Sequence, residues 1–173
     1  MIEIKVAKKT DAAMLALLGR ITYTESHGHF IDSKKDLLTY INDAFSIQKL
    51  STELADSNTL FYLIYVDDLP VGYTKLVLHA THKNIHSKKA CRLEKIYILN
   101  DFIPQKIGQP FLNFIKKKAK EMQFDAMWLT VYIKNERAIQ FYKKNEFKNI
   151  GTYNFSVNGK GYENILFLKN ISL

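Results

Sequence analysis

At 173 residues, 47% of them hydrophobic, the chain can bury a core of its own as one domain over residues 1–173, but it is short for two. A formal net charge of +8 favours anionic partners, yet the lysines are scattered. The densest group, Lys116, Lys117 and Lys118 with Lys120, falls where a helix needs a solvated face, so nucleic acid is not the expected partner. No apolar run has the length of a membrane span, and residues 1–6 alternate like a strand rather than a signal peptide. The single cysteine, Cys91, leaves no internal disulfide framework, so a cytoplasmic protein without membrane contact is expected.

Ile2, Ile4 and Val6 alternate with Glu3 and Lys5, the period of a half-buried strand. Thr10 and Asp11 then cap a helix over residues 12–18. Residues 22–31 lose this regularity and collect Glu25, Ser26, His27, His29 and Phe30, with Asp32 just beyond, which reads as an irregular segment where an acceptor site is built. His27 and His29, separated by one residue without a carboxylate or cysteine at matching spacing, read as surface histidines, and no metal is expected. Ser33 caps a second helix whose face carries Leu37, Leu38, Ile41, Phe45 and Ile47, and residues 50–54 extend it as a short further piece.

Residues 60–66 and 71–78 are two strands joined by the short acidic turn at Asp67 and Asp68, an antiparallel hairpin. The polar, aperiodic residues 79–90 read as an exposed loop, and the irregular spacing of His79, His82 and His86 does not describe a metal site. Residues 93–99 are strand-like and contain Glu94, Ile96, Tyr97 and Ile98. Gln105, Lys106, Ile107, Gly108 and Gln109 then form a turn directly ahead of a helix over 110–122, where backbone N–H groups and the helix dipole suit a phosphate. A second apolar strand covers 127–132, and Asn135 caps a helix that carries Ala138, Phe141 and an exposed Tyr142. Residues 149–157 and 162–168 close the chain as a hairpin around the Asn158-Gly159-Lys160-Gly161 turn. This order describes a mixed α/β sheet with helices on its faces.

The succession of strand, polar glycine-containing turn, helix, strand, then Asn135 and Ala138 ahead of Phe141-Tyr142 and the Glu146-Phe147 pair resembles the GCN5-related N-acetyltransferase (GNAT) family. Within it the chain looks most like bacterial spermidine/spermine N-acetyltransferases of the PaiA type. That likeness lies in residues 23–26, 36–41, 71–76 and 93–98, and in Phe45, Leu50, Glu53 and Leu54. There are two departures: Pro110 replaces the last small residue of the phosphate motif, and Glu146 stands where glycine commonly precedes the phenylalanine.

The resemblance implies a mostly antiparallel mixed sheet that splays between its two central parallel strands. It also implies acetyl-CoA as cosubstrate and a small primary amine, best a polyamine, as acceptor. In that scheme the backbone of Ile96, Tyr97 and Ile98 holds the pantetheine arm and residues 105–109 hold the pyrophosphate. Asn135, Ala138 and Lys144 contact the cofactor, Tyr142 protonates the departing thiolate, and Glu94 serves as base. Glu25, Phe30 and Asp32 would face the acceptor, and a homodimer is expected by analogy alone. Acetylation of a protein N-terminus or lysine is the alternative within the class. A nucleic-acid or regulatory module with a vestigial cofactor motif is the alternative outside it.

Overall fold

The computed structural model describes residues 1–171. Seven strands, β1 (Ile2–Val6), β2 (Thr59–Val66), β3 (Leu69–Val77), β4 (Ala90–Ile98), β5 (Ala126–Tyr132), β6 (Lys148–Val157) and β7 (Lys160–Asn170), form one mixed sheet in the order β1-β2-β3-β4-β5-β7-β6. Five α-helices accompany it: α1 (Ala12–His27), α2 (Lys34–Ala44), α3 (Ile47–Ala55), α4 (Gly108–Glu121) and α5 (Glu136–Lys144). None of the described helices is long and apolar enough to cross a membrane. The residues group into two compact units, Met1–Leu76 with Lys95–Phe114, and Val77–Glu94 with the chain from Ile115 on, so β4 and α4 each belong partly to both.

In the first unit, Leu15, Leu18 and Tyr23 of α1, Ile41 of α2, Leu50 of α3 and Phe45 pack on Phe61, Leu63 and Tyr73 of the sheet. Successive strand residues face opposite sides. Tyr62 accordingly points away from this cluster and meets Phe114 of α4 edge to face at 5.3 Å, giving the unit helices on both faces. The β2–β3 hairpin closes through Asp67 (φ 47°) and Asp68 (φ 65°); two positive φ angles make the primed turn whose twist matches the strands. Gly72 of β3 is required by close approach, because a Cβ there would lie 2.4 Å from the Tyr97 carbonyl oxygen on β4. Leu38 and Ile47, expected on the apolar face, are exposed instead. The α2–α3 break at Phe45 and Ser46 turns the two short helices separately, so one helical stripe does not run through both.

The irregular segment expected over residues 22–31 is helical as far as His27, followed by a short 3-10 turn at Gly28–Phe30. Its hydroxyl side chains bond back along the helix: Thr22 Oγ1 to Leu18 O at 2.6 Å, Thr24 Oγ1 to Arg20 O at 2.7 Å and Ser26 Oγ to Thr22 O at 2.7 Å. Hydroxyls satisfied in this way do not draw the backbone out of the helix, and Tyr23 keeps the buried stripe going.

In the second unit, β5 pairs antiparallel with β7 over its whole length and β7 pairs with β6. Trp128, Leu166 and Leu168 pack with Ile85 and Ala90, and Trp128 Nε1 donates to Ala80 O at 2.8 Å, so the polar segment before β4 is anchored at this point. Phe167 occupies the other face, where Tyr142 of α5 meets it. Cys91 of β4 is fully buried, its thiol 3.6 Å from Ala126 O, and burial pushes its pKa up to about 12.

Candidate active site

β4 pairs parallel with β5 only from Ala90 to Arg92, opposite Ala126 to Trp128. β5 continues beside β7 as far as Tyr132, so the two central parallel strands part company after three residues. The β4–β5 register thus ends at Arg92, ahead of Ile96, Tyr97 and Ile98, while β4 itself runs on to Ile98. A strand edge of this kind offers backbone N–H and C=O groups to an extended ligand with amides of its own. Glu94 is half-buried in the middle of the strand.

After β4 the chain makes a 3-10 helix, Asn100–Gln105, whose first N–H donates to Glu25 Oε2 at 3.0 Å. Glu25, expected to meet an acceptor, thus has a carboxylate oxygen committed to the junction between β4 and the turn. Lys106 then takes a left-handed conformation (φ 57°), and its N–H bonds Ile103 O at 3.0 Å. The helical ladder of α4 opens with Phe111 N–H to Ile107 O at 3.1 Å, leaving the Ile107 and Gly108 N–H groups ahead of it. The buried side chains of Ile107, Phe111 and Leu112 fix the turn, while Gln105 and Lys106 are exposed and Gly108 and Gln109 are half-buried. Pro110 lies in the first turn of α4, where an N–H has no helical partner anyway, so proline costs the helix nothing. An edge strand, two unladdered N–H groups at a helix N-terminus and a nearby lysine fit a pantetheine arm with a pyrophosphate.

In the second unit, Asn135 Oδ1 accepts from Ala138 N–H at 3.2 Å, the expected cap of α5. Lys144 is exposed in the last turn of that helix and Ala138 is half-buried. Tyr142 is not exposed as expected but 7% accessible, set against Phe141 (5.3 Å), Phe147 (5.4 Å) and Phe167 (6.3 Å). A helix cap fixes which residues share a face, but not which face a later strand covers. Burial holds the Tyr142 phenol above its ordinary pKa, so it stays protonated well beyond neutral pH.

The departure at Glu146 also has a structural meaning. Its φ of 62° is left-handed, and Phe147 N–H closes on Tyr142 O at 3.0 Å, the helix-ending arrangement that glycine adopts without strain. Glu146→Gly is expected to raise stability by about 1 kcal/mol in urea unfolding, even though it removes the exposed Glu146–Lys169 ion pair. A loss of stability would show that the ion pair outweighs the backbone.

His27, read from sequence as a surface histidine, is half-buried. Its ring stacks on Tyr23 at 4.7 Å with 7° between planes and stands edge-on to Tyr97 of β4 at 5.7 Å and to Phe30 at 6.5 Å. Asp32 is exposed between the 3-10 turn and Ser33, whose Oγ caps α2. Sequence reasoning missed His27 as part of this group. The available signal was the four-residue spacing from Tyr23, which puts both rings on one helical face.

The acetyltransferase (GNAT) family model matches residues 23–147. An uncharacterized N-acetyltransferase in the pepI 3′ region of Lactobacillus delbrueckii subsp. lactis is 26% identical over 139 residues, covering 80% of this chain and 79% of that protein. The fold is shared with PaiA N-acetyltransferase from Thermoplasma acidophilum, solved in complex with coenzyme A; the TM-score is 0.77 at 22% identity, covering 98% of this chain and 99% of that one. It is shared as well with the ribosomal-protein-S18-alanine N-acetyltransferase of Escherichia coli, with a TM-score of 0.72 at 14% identity, covering 100% and 96% respectively.

Proposed function

Because the chain belongs to the acetyltransferase (GNAT) family and is an N-acetyltransferase, we propose that it transfers the acetyl group of acetyl-CoA directly to a primary amine, with a polyamine such as spermidine or spermine as the preferred acceptor. The observation that carries this reading is the release of β4 from β5 after Arg92, followed by the left-handed turn at Lys106 and the N-terminus of α4. Coenzyme A in the PaiA N-acetyltransferase of similar fold supports the choice of cosubstrate. Acetyl-CoA, when bound, supplies the activated acyl group.

The backbone of Ile96, Tyr97 and Ile98 would hold the pantetheine arm, and the Ile107 and Gly108 N–H groups with Lys106 would hold the pyrophosphate. Tyr142 would supply the proton that the departing sulfur needs, and Glu94 would take up the proton the amine loses. No covalent enzyme intermediate is required. Asp32 and the half-buried Asp36 would offer a polycationic acceptor negative charge despite the overall +8. A cytoplasmic setting fits a chain whose single thiol is buried.

Acetyl-CoA at about 100 times its dissociation constant should stabilise the protein by about 2.7 kcal/mol in a thermal-shift experiment. Incubation with acetyl-CoA and a panel of spermidine, spermine, an alanine-initiated peptide and a lysine peptide should release free thiol above the hydrolysis rate, fastest with the polyamines. Release driven only by the alanine-initiated peptide would replace the polyamine by a protein N-terminus. No release with any acceptor would remove the enzymatic reading. Salt-dependent DNA binding without stabilisation by acetyl-CoA would favour a nucleic-acid module.

A further inference from the structure

The hydrogen bonds around His27 fix its tautomer. Ser26 Oγ has one proton, and it is directed to Thr22 O at 2.7 Å. The same Oγ lies 2.7 Å from His27 Nδ1, and with its own proton committed it can only accept there. Nδ1 therefore carries the ring proton and donates it, which leaves Nε2 with an unshared electron pair. Nε2 makes no hydrogen bond to any described residue, and the Tyr23 ring holds the imidazole parallel to it at 4.7 Å.

Three further facts define what this nitrogen can meet. The imidazole lies 5.7 Å from and perpendicular to the ring of Tyr97, which stands between Ile96 and Ile98 on the strand proposed to carry the pantetheine arm. Phe30 flanks the ring from the 3-10 turn, so its surroundings are aromatic rather than ionic. Burial, reinforced by the nearby His29, lowers the pKa to about 4, so the ring is uncharged at neutral pH and does not repel a cationic chain.

From this geometry we infer that His27 Nε2 accepts a hydrogen bond from the acceptor amine and orients its nitrogen for attack, the aromatic rings around it receiving the adjoining methylene groups. The assignment rests on the acetyl-transfer reading above and adds a specificity-determining residue to it. The hydrogen bond draws on one N–H of the amine and leaves the nitrogen lone pair directed elsewhere. The acceptor class remains that of the reading above, a primary amine on an aliphatic stem.

Two substitutions separate the acceptor atom from the packing. His27→Phe keeps an aromatic ring on Tyr23 but has no acceptor, whereas His27→Gln restores a carbonyl oxygen near the position of Nε2. With spermidine as probe, His27→Phe is expected to lower kcat/KM for the amine about 10-fold while the KM for acetyl-CoA stays within about twofold, and His27→Gln to recover most of the loss. A His27→Phe enzyme as active as wild type, or a His27→Gln enzyme no better than His27→Phe, overturns the inference.

A second measurement does not depend on turnover. Long-range 15N–1H spectra of the wild-type protein at neutral pH should show Nδ1 protonated and Nε2 unprotonated, with spermidine shifting Nε2. The opposite tautomer, or no shift at saturating spermidine in a protein that acetylates it, overturns the assignment. If no amine in the panel is acetylated, the function falls whatever the spectra show. If amines are acetylated and the His27 variants behave alike, the inference falls alone.

Discussion

Replacing Tyr142 by phenylalanine should reduce the turnover number for amine acetylation about 100-fold, the scale on which a positioned proton donor acts. The substitution removes the hydroxyl and keeps the ring among Phe141, Phe147 and Phe167, so the fold and the affinity for acetyl-CoA should stay near wild type. Because burial raises the phenol pKa, Tyr142 remains a donor across the alkaline range in which the acceptor amine becomes neutral. The pH–rate profile of the wild type should therefore climb with amine deprotonation and show no descending limb from this residue. Steady-state rates of both proteins from pH 6 to pH 10 would check it; a variant with unaltered turnover would transfer the acid role to water or another group.

Acid should destabilise the protein through His27. In the unfolded chain this imidazole takes up a proton near its ordinary pKa of 6.5, while the folded ring resists protonation until about pH 4, chiefly because it is buried. The unfolded state therefore binds more protons between these limits, and stability must fall as the pH drops through them. The loss begins below about pH 6.5, is complete below about pH 4 and amounts to roughly 3 kcal/mol. Urea unfolding of wild type and His27→Phe at pH 7, 5 and 4 isolates the effect, since phenylalanine cannot titrate. Parallel losses in the two proteins would show that carboxylates, not His27, set the acid limit.

The elements legible in the sequence were those whose signal is local. The strand at Ile2–Val6, the cap at Asn135 and the turns at Asp67 and Asn158 each depend on a few adjacent residues and stand where the pattern places them. Ile2 and Val6 are nonetheless exposed rather than on a buried face, because no described helix covers them on the edge strand β1. The helical course of residues 22–27 was hidden because threonine and serine favour turns on average, and their backbonding to carbonyls four residues earlier depends on a helix already present. The burial of Tyr142 was hidden for another reason: Phe167 reaches it from a strand distant in sequence. At the phosphate turn, Pro110 is compatible with the helix start, because its missing N–H is one the ladder does not use. The pairing of Glu25 with Asn100 N–H joins α1 to the end of β4 and has no periodic signature.

The buried Cys91 gives the protein a reporter of its own motion. With its thiol held up to about pKa 12 and no surface exposed, it should stay inert to a disulfide reagent that reads coenzyme A colorimetrically. Any labelling of the native protein must then wait for the β4–β5 pairing around Cys91 and Met127 to open. The rate of that labelling, measured with and without acetyl-CoA, is a clock for breathing of the two central strands at the last point where they remain joined.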